Sequence, residues 1–189
     1  MITYRNVFNN NKYERIIKPY LHKNRKESGN IFFTLAEQKF KVMNNNFSVR
    51  EQIIEVANKL FVYTDNRQWQ KLLNEVFTGT VLFDMSSAGA GEPVTISANE
   101  LCDKWEKGFE GIDVIHHQAG NYLVTLNATG AAVHAYAIAS HFKKTAQHGN
   151  TREFVGSYDL LVSDVPGKGW RINTFKYNLK YIDGNIDLL

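Results

Sequence analysis

The sequence predicts an α+β domain whose helices come first and pack on one face of a curved antiparallel sheet. Two observations predict this. Apolar residues recur at helical spacing from Ser48 to about residue 75 and again after Ser97. From Ile112 to Tyr181 the pattern changes to β-rich runs separated by turn residues. No internal repeat or linker interrupts residues 47–183, so one domain is expected there. Residues 1–46, with two Asn triplets and Pro19, read as a basic, flexible N-terminal extension, and residues 184–189 as a tail.

The elements follow in order. Ser48-Val49-Arg50-Glu51 is a capping box, in which the Ser hydroxyl and the Glu carboxylate each satisfy a free N–H at the helix start. Ile53, Ile54, Ala57, Leu60, Phe61 and Thr64 then form one apolar face to about residue 64. A second helix is expected over about 67–75, turning Trp69, Leu72 and Leu73 inward, and Phe77 to Met85 is β-rich. Ser86 to Pro93 reads as a loop. A second capping box, Ser97 to Glu100, opens a helix with Leu101, Trp105 and Phe109 on one stripe, closed by Gly108 and Gly111. Strands are expected at about 112–119, 121–128, 131–143, 152–163 and 169–180.

Composition narrows the function classes. The chain has 189 residues and a net charge of +3. Nine lysines and arginines against three acids give residues 1–42 a charge of +6, which leaves thirteen against sixteen, or −3, for the remainder. The basic character belongs to the extension, so no nucleic-acid partner is expected for the domain. No window of eighteen apolar residues occurs, so no membrane span is expected, and nothing in the N-terminus reads as a secretory signal. The single cysteine, Cys102, excludes an internal disulfide and fits a reducing, cytoplasmic setting. No Cys/His spacing suggests a metal.

Histidine is the side chain whose charge changes most readily near neutrality, and five of the six lie between 116 and 148. Strand alternation sorts them. His117 shares a face with Asp113, Ile115 and Ala119, and His141 shares one with Val133, Ala135, Ala137 and Ala139, a row of small residues that leaves room. His134 and Tyr136 face the other way unless a bulge intervenes. Asp159 lies with Val155, Ser157 and Leu161. Asp65, at the corner between the first two helices, is either a cap or a buried functional acid that steadies one of these histidines.

Residues 48–182 resemble the SnoaL-like branch of the nuclear-transport-factor-2-like superfamily. The resemblance rests on Tyr63-x-Asp65-x-x-x-Trp69, on Leu72-Leu73-x-x-x-Phe77, on His116-His117-x-x-Gly120 and on Gly169-Trp170-Arg171-Ile172, in that order. It implies a cone: a strongly bent sheet wrapped around helices, with an apolar pocket inside. In its site residues the chain is similar to scytalone dehydratase, hexachlorocyclohexane dehydrochlorinase and bile-acid dehydratases. These use an Asp–His pair without metal or organic cofactor. The resemblance assigns Asp65 and His117 to that pair and His141 to a second histidine. Asp159 takes the place of a substrate-contacting asparagine. Thr64 and Met85 stand where scytalone dehydratase has two tyrosines, which points away from scytalone as substrate. Phe61, Trp69, Phe83, Trp105 and Tyr136 are the expected pocket walls, and each reads equally well as core.

The resemblance implies a cofactor-independent dehydratase, lyase or isomerase. His117, held by Asp65, would take a proton from a small apolar carbonyl- or ring-bearing molecule, and a homodimer is expected. Two alternatives use the same fold. One is a non-catalytic ligand-binding or dimerising domain, in which Asp65 only caps its helix. The other is an accessory β-subunit of a ring-hydroxylating dioxygenase.

Overall fold

The computed structural model describes residues 47–188, so the expectations for the N-terminal extension lie outside the described residues. Helix α1 spans Val49–Asp65, and both halves of its capping box are formed. Ser48 Oγ accepts from the Glu51 N–H at 3.2 Å, and Glu51 accepts from the Ser48 N–H at 2.7 Å. The helix buries Ile53, Val56, Ala57, Leu60, Phe61 and Thr64. Its end is closed by Asn66, whose backbone N–H and side-chain amide both donate to late carbonyls of the helix. Arg67, at φ 49°, turns the chain away.

The helix expected over 67–75 forms as two pieces. A single turn, α2, covers Trp69–Lys71, and a wider π-helical turn covers Leu72–Val76, with Leu72 and Val76 fully buried. Strand β1 (Phe77–Asp84) follows without a loop. The stretch after it holds a 3-10 turn at Ser86–Ala88 and a short strand, β2 (Val94–Ser97), that sequence reading missed although Val94, Thr95 and Ile96 are all β-branched. Helix α3 (Ala98–Gly108) opens with Ser97 Oγ accepting from the Glu100 N–H at 3.1 Å.

Four long strands complete the sheet: β3 (Val114–Asn127), β4 (Gly130–Phe142), β5 (Thr151–Val165) and β6 (Gly169–Gly184). The two strands expected at 112–119 and 121–128 are one. Gly120 does not end it, because a register shift between Gly120 and Leu123, with Asn121 at φ 58°, absorbs the irregularity and pairing with β4 resumes. The strand order is β2-β1-β6-β5-β4-β3 in an open, curved, six-stranded sheet. Every neighbouring pair is antiparallel except β1 and β6, which run parallel.

The pleat of β4 decides what faces inward. Ala131, Val133, Ala135, Ala137, Ala139 and His141 are buried, while Tyr136, Ile138 and Phe142 are exposed. The pairing of β5 with β6 shifts between Val155 and Gly156, where Lys180 of β6 is the extra residue, and Gly156, Ser157 and Tyr158 of β5 are all buried. Gly156 is required there, since a Cβ would stand 2.4 Å from the Asn178 carbonyl oxygen. Beyond β6 the chain is fastened. The Asn185 side chain donates to the carbonyls of Gln147 and Gly149, Arg152 donates to Ile186 O, and Leu188 is buried. Residues 185–188 are held against the sheet by these contacts.

Candidate active site

The row of small residues on β4 leaves a space between the sheet and the helices. It is a cavity of about 160 Å³. Leu60, Phe61 and Thr64 of α1 close one side, with Met85, Trp105 and Phe109 beside them. The sheet supplies His117, Ala139, His141, Phe154, Tyr158, Phe175 and Tyr177. The lining is mainly aromatic, and two imidazoles stand among the rings.

Asp65 is the last residue of α1. A carboxylate cannot cap a helix C-terminus, because the groups left free there are carbonyls and a carboxylate only accepts. It also sits at the negative end of the helix dipole, where an anion is disfavoured. Its donors come from elsewhere. Asp65 Oδ1 lies 2.5 Å from His117 Nδ1, and Oδ2 accepts from the His117 backbone N–H at 2.9 Å. One residue of β3 thus grips both carboxylate oxygens. The two side chains are 13% and 9% exposed, so the contact is little screened. His116 Nδ1 is 3.8 Å from the same carboxylate, but that side chain is largely exposed. Phe61 packs on the His117 ring at 5.4 Å.

With an ionised carboxylate at Nδ1, the neutral His117 carries its proton there and leaves Nε2 with a free lone pair. His141 sits two residues beyond Ala139, the β4 residue that pairs with His117, on the same face. It is buried between Phe109 and Phe154, with ring centroids at 5.4 and 5.2 Å. Burial pushes its pKa down to about 4, and the positive charge of Arg152 adds to the shift.

The remaining expected site residues divide. Thr64, Met85 and Trp105 line the cavity with His117 and His141. Thr64 donates its hydroxyl proton to Leu60 O at 2.7 Å. Trp69 and Phe83 stand behind the wall. Trp69 stacks on Phe109 and donates to Glu106, and Phe83 stacks on Phe175 and meets Trp105 edge-on. Tyr136 and Asp159 lie on the opposite face of the sheet. Pairing of β4 with β5 runs without a shift from Ala131 to Phe142, so alternation carries His134, Tyr136 and Asp159 outward together. There Asp159 accepts from Asn178 and sits 2.7 Å from His134 Nδ1, and Lys180 covers the Tyr136 ring.

Sequence reading did not assign Phe109, Phe154, Tyr158, Phe175 and Tyr177 to the pocket. Phe175 and Tyr177 alternate along β6, and that spacing is a usable signal. Phe154 and Tyr158 share one face of β5, four residues apart, so the same alternation is a usable signal there. The hydroxyl of Tyr177 is buried without a hydrogen-bond partner, and burial pushes its pKa up to about 12. Among the described residues no cluster of three or more His, Cys, Asp or Glu side chains could hold a metal ion.

The sequence profile of the SnoaL-like domain matches residues 46–176, more than half of the chain. The chain belongs to the SnoaL-like domain family. The fold is that of the nuclear-transport-factor-2-like superfamily. Among solved structures, the Kfla4162 protein from Kribbella flavida is similar at 25% identity and a TM-score of 0.69, covering 74% of this chain and 95% of its own. A candidate scytalone dehydratase from Novosphingobium aromaticivorans is similar at 14% identity and 0.61, covering 72% and 88%. A hexachlorocyclohexane dehydrochlorinase of type 2 is similar at 14% identity and 0.59, also covering 72% and 88%. At such identity the last two likenesses speak for the fold alone. No protein of curated description matches this SnoaL-like chain by sequence.

Proposed function

We propose that this SnoaL-like protein is a cofactor-independent lyase, of the dehydratase or dehydrohalogenase type, or an isomerase. Its substrate is a compact, largely apolar molecule with a carbonyl or activated ring. The observation that carries the reading is the 2.5 Å contact between Asp65 Oδ1 and His117 Nδ1 at the wall of an aromatic cavity. His117 Nε2 removes an acidic C–H proton, and Asp65 stabilises the imidazolium that forms. In an elimination the C–H electron pair becomes the new C=C bond as the bond to the leaving group breaks. The leaving group departs as halide, or as water after taking a proton. In an isomerisation the same proton returns to a different carbon. His141 faces the same space and serves as donor to the developing negative charge on oxygen or halide. Thr64 and Met85 stand at the cavity wall where scytalone dehydratase has two tyrosines, and the tyrosines that line this cavity, Tyr158 and Tyr177, come from β5 and β6 instead, which argues against scytalone itself.

The test is a panel of β-hydroxy ketones and β-halo ketones, followed for loss of water or halide. Asp65→Asn and His117→Ala should each lower kcat by about 10²–10⁴-fold while the fold, read by circular dichroism, is kept. Activity equal to wild type in both variants would overturn the reading. Ketones that raise the melting temperature but are not turned over would favour the non-catalytic, ligand-binding alternative. The same reading includes a homodimer formed through the outer face of the sheet. It is supported by the exposed Tyr136, Ile138 and Leu161 there.

A further inference from the structure

The catalytic reading uses His141 as a donor but does not say what keeps it one. Strand pairing sets Arg152 of β5 directly opposite His141 of β4. One guanidinium nitrogen, Nη2, lies 3.1 Å from His141 Nδ1. An arginine can only donate, so His141 Nδ1 can only accept. A proton on Nδ1, whether in the other neutral tautomer or in the imidazolium, would set two donors against each other. We propose that Arg152 is a positioning residue that locks His141 as the neutral Nε2–H tautomer, the opposite of His117, so that one cavity wall offers both a lone pair and a proton. The chemical use of that arrangement rests on the proposed function; the tautomer assignment does not.

Three features hold the arginine in place. Its Nη1 donates to Ile186 O at 2.7 Å, which gives the C-terminal segment 185–188 a part in the site. Its guanidinium lies over the Phe154 ring at 4.9 Å, and Phe154 in turn packs on His141. The planar fork lets one side chain satisfy two partners in fixed directions, which a lysine cannot do. The charges around His141 agree with a neutral ring. Burial disfavours its protonation most, Arg152 from β5 and His117 from β3 add to that, and the opposing effect of Asp65 at the end of α1 is the weakest. A ligand that fits this wall carries an acidic C–H beside His117. Within the same small molecule it carries an oxygen or halogen acceptor directed at His141.

The test is long-range ¹⁵N–¹H correlation NMR on the full chain with ¹⁵N-labelled histidine, with His117→Gln and His141→Gln variants to assign the rings. At pH 7 wild type should show His141 protonated at Nε2 and His117 protonated at Nδ1. Arg152→Met should turn His141 into a mixture of tautomers and raise its titration midpoint by about one unit or more. Arg152→Leu, which also removes the donor, carries the same expectation and stands in if the Met variant does not fold. A wild-type His141 that is protonated at Nδ1, or a His141 tautomer unchanged in Arg152→Met, would overturn the proposal. No substrate enters this measurement. Failure here leaves the Asp65–His117 reading intact, and failure of the ketone panel leaves the tautomer assignment intact.

Discussion

His141 offers a residue-level test that needs no substrate. Its pKa is held at about 4 in the folded protein, against roughly 6.5 for an unfolded histidine. Between those values the unfolded chain binds a proton that the native chain refuses. The contribution of His141 to stability is therefore complete above about pH 6.5 and is lost as pH falls toward 4. The full shift amounts to about 3 kcal/mol at most. Urea unfolding of wild type and His141→Gln at pH 7, 5.5 and 4.5 should show the wild type losing about 1–3 kcal/mol more than the variant as pH falls. Parallel curves would show that His141 is not held neutral by its surroundings. At this scale the sequence was informative about chemistry and silent about partners. Asp65 and His117 are separated by 51 intervening positions, and only the family resemblance linked them before the fold did. Arg152 gave no signal, because an arginine on a strand reads as a solvated charge until its cross-strand neighbour is known.

At the scale of elements, helix α1 matters because its last residue is Asp65 and its apolar face closes the cavity. Ser48 and Glu51 fix where that helix begins. Ser48→Ala should cost about 1 kcal/mol in chemical denaturation, within a range of about 0.5–2 kcal/mol. A loss near zero would show that the cap is redundant with packing of the helix on the sheet. Helix starts, the row of small residues on β4 and the strands β4, β5 and β6 were legible because each depends on local sequence. The misread elements share a cause. The π turn at Leu72–Val76 and the single strand β3 running through Gly120 are irregularities that tertiary contacts impose on a local pattern. Strand β2 is held by four pairs along β1, and without that partner its four residues look like loop.

For the whole molecule, the open question is what meets the outer face of the sheet. Tyr136, Ile138 and Leu161 are exposed on strands that lie side by side. If that face joins two copies, light scattering should give twice the 21.6 kDa chain mass, and Ile138→Glu with Leu161→Glu should return the monomer mass. A monomer at all concentrations in wild type would remove the dimer from the reading. Among the described residues no helix is long and apolar enough to cross a membrane.

The sequence by itself determined the fold class, the starts of α1 and α3, the inward face of β4, and the pairing of Asp65 with His117 through a resemblance in short motifs. It could do so because capping, periodicity and alternation act over a few residues, and because a family keeps its motifs in order. The tertiary structure decided which aromatic rings reach the cavity. It sent Tyr136 and Asp159 to the outer face and put Trp69 and Phe83 behind the wall. It also brought Arg152 to His141. These outcomes depend on strand register and on bulges, and a shift of one residue exchanges the two faces of a strand. Register is set by contacts between segments far apart in the chain, so local sequence carries too little of it to place a side chain in a pocket.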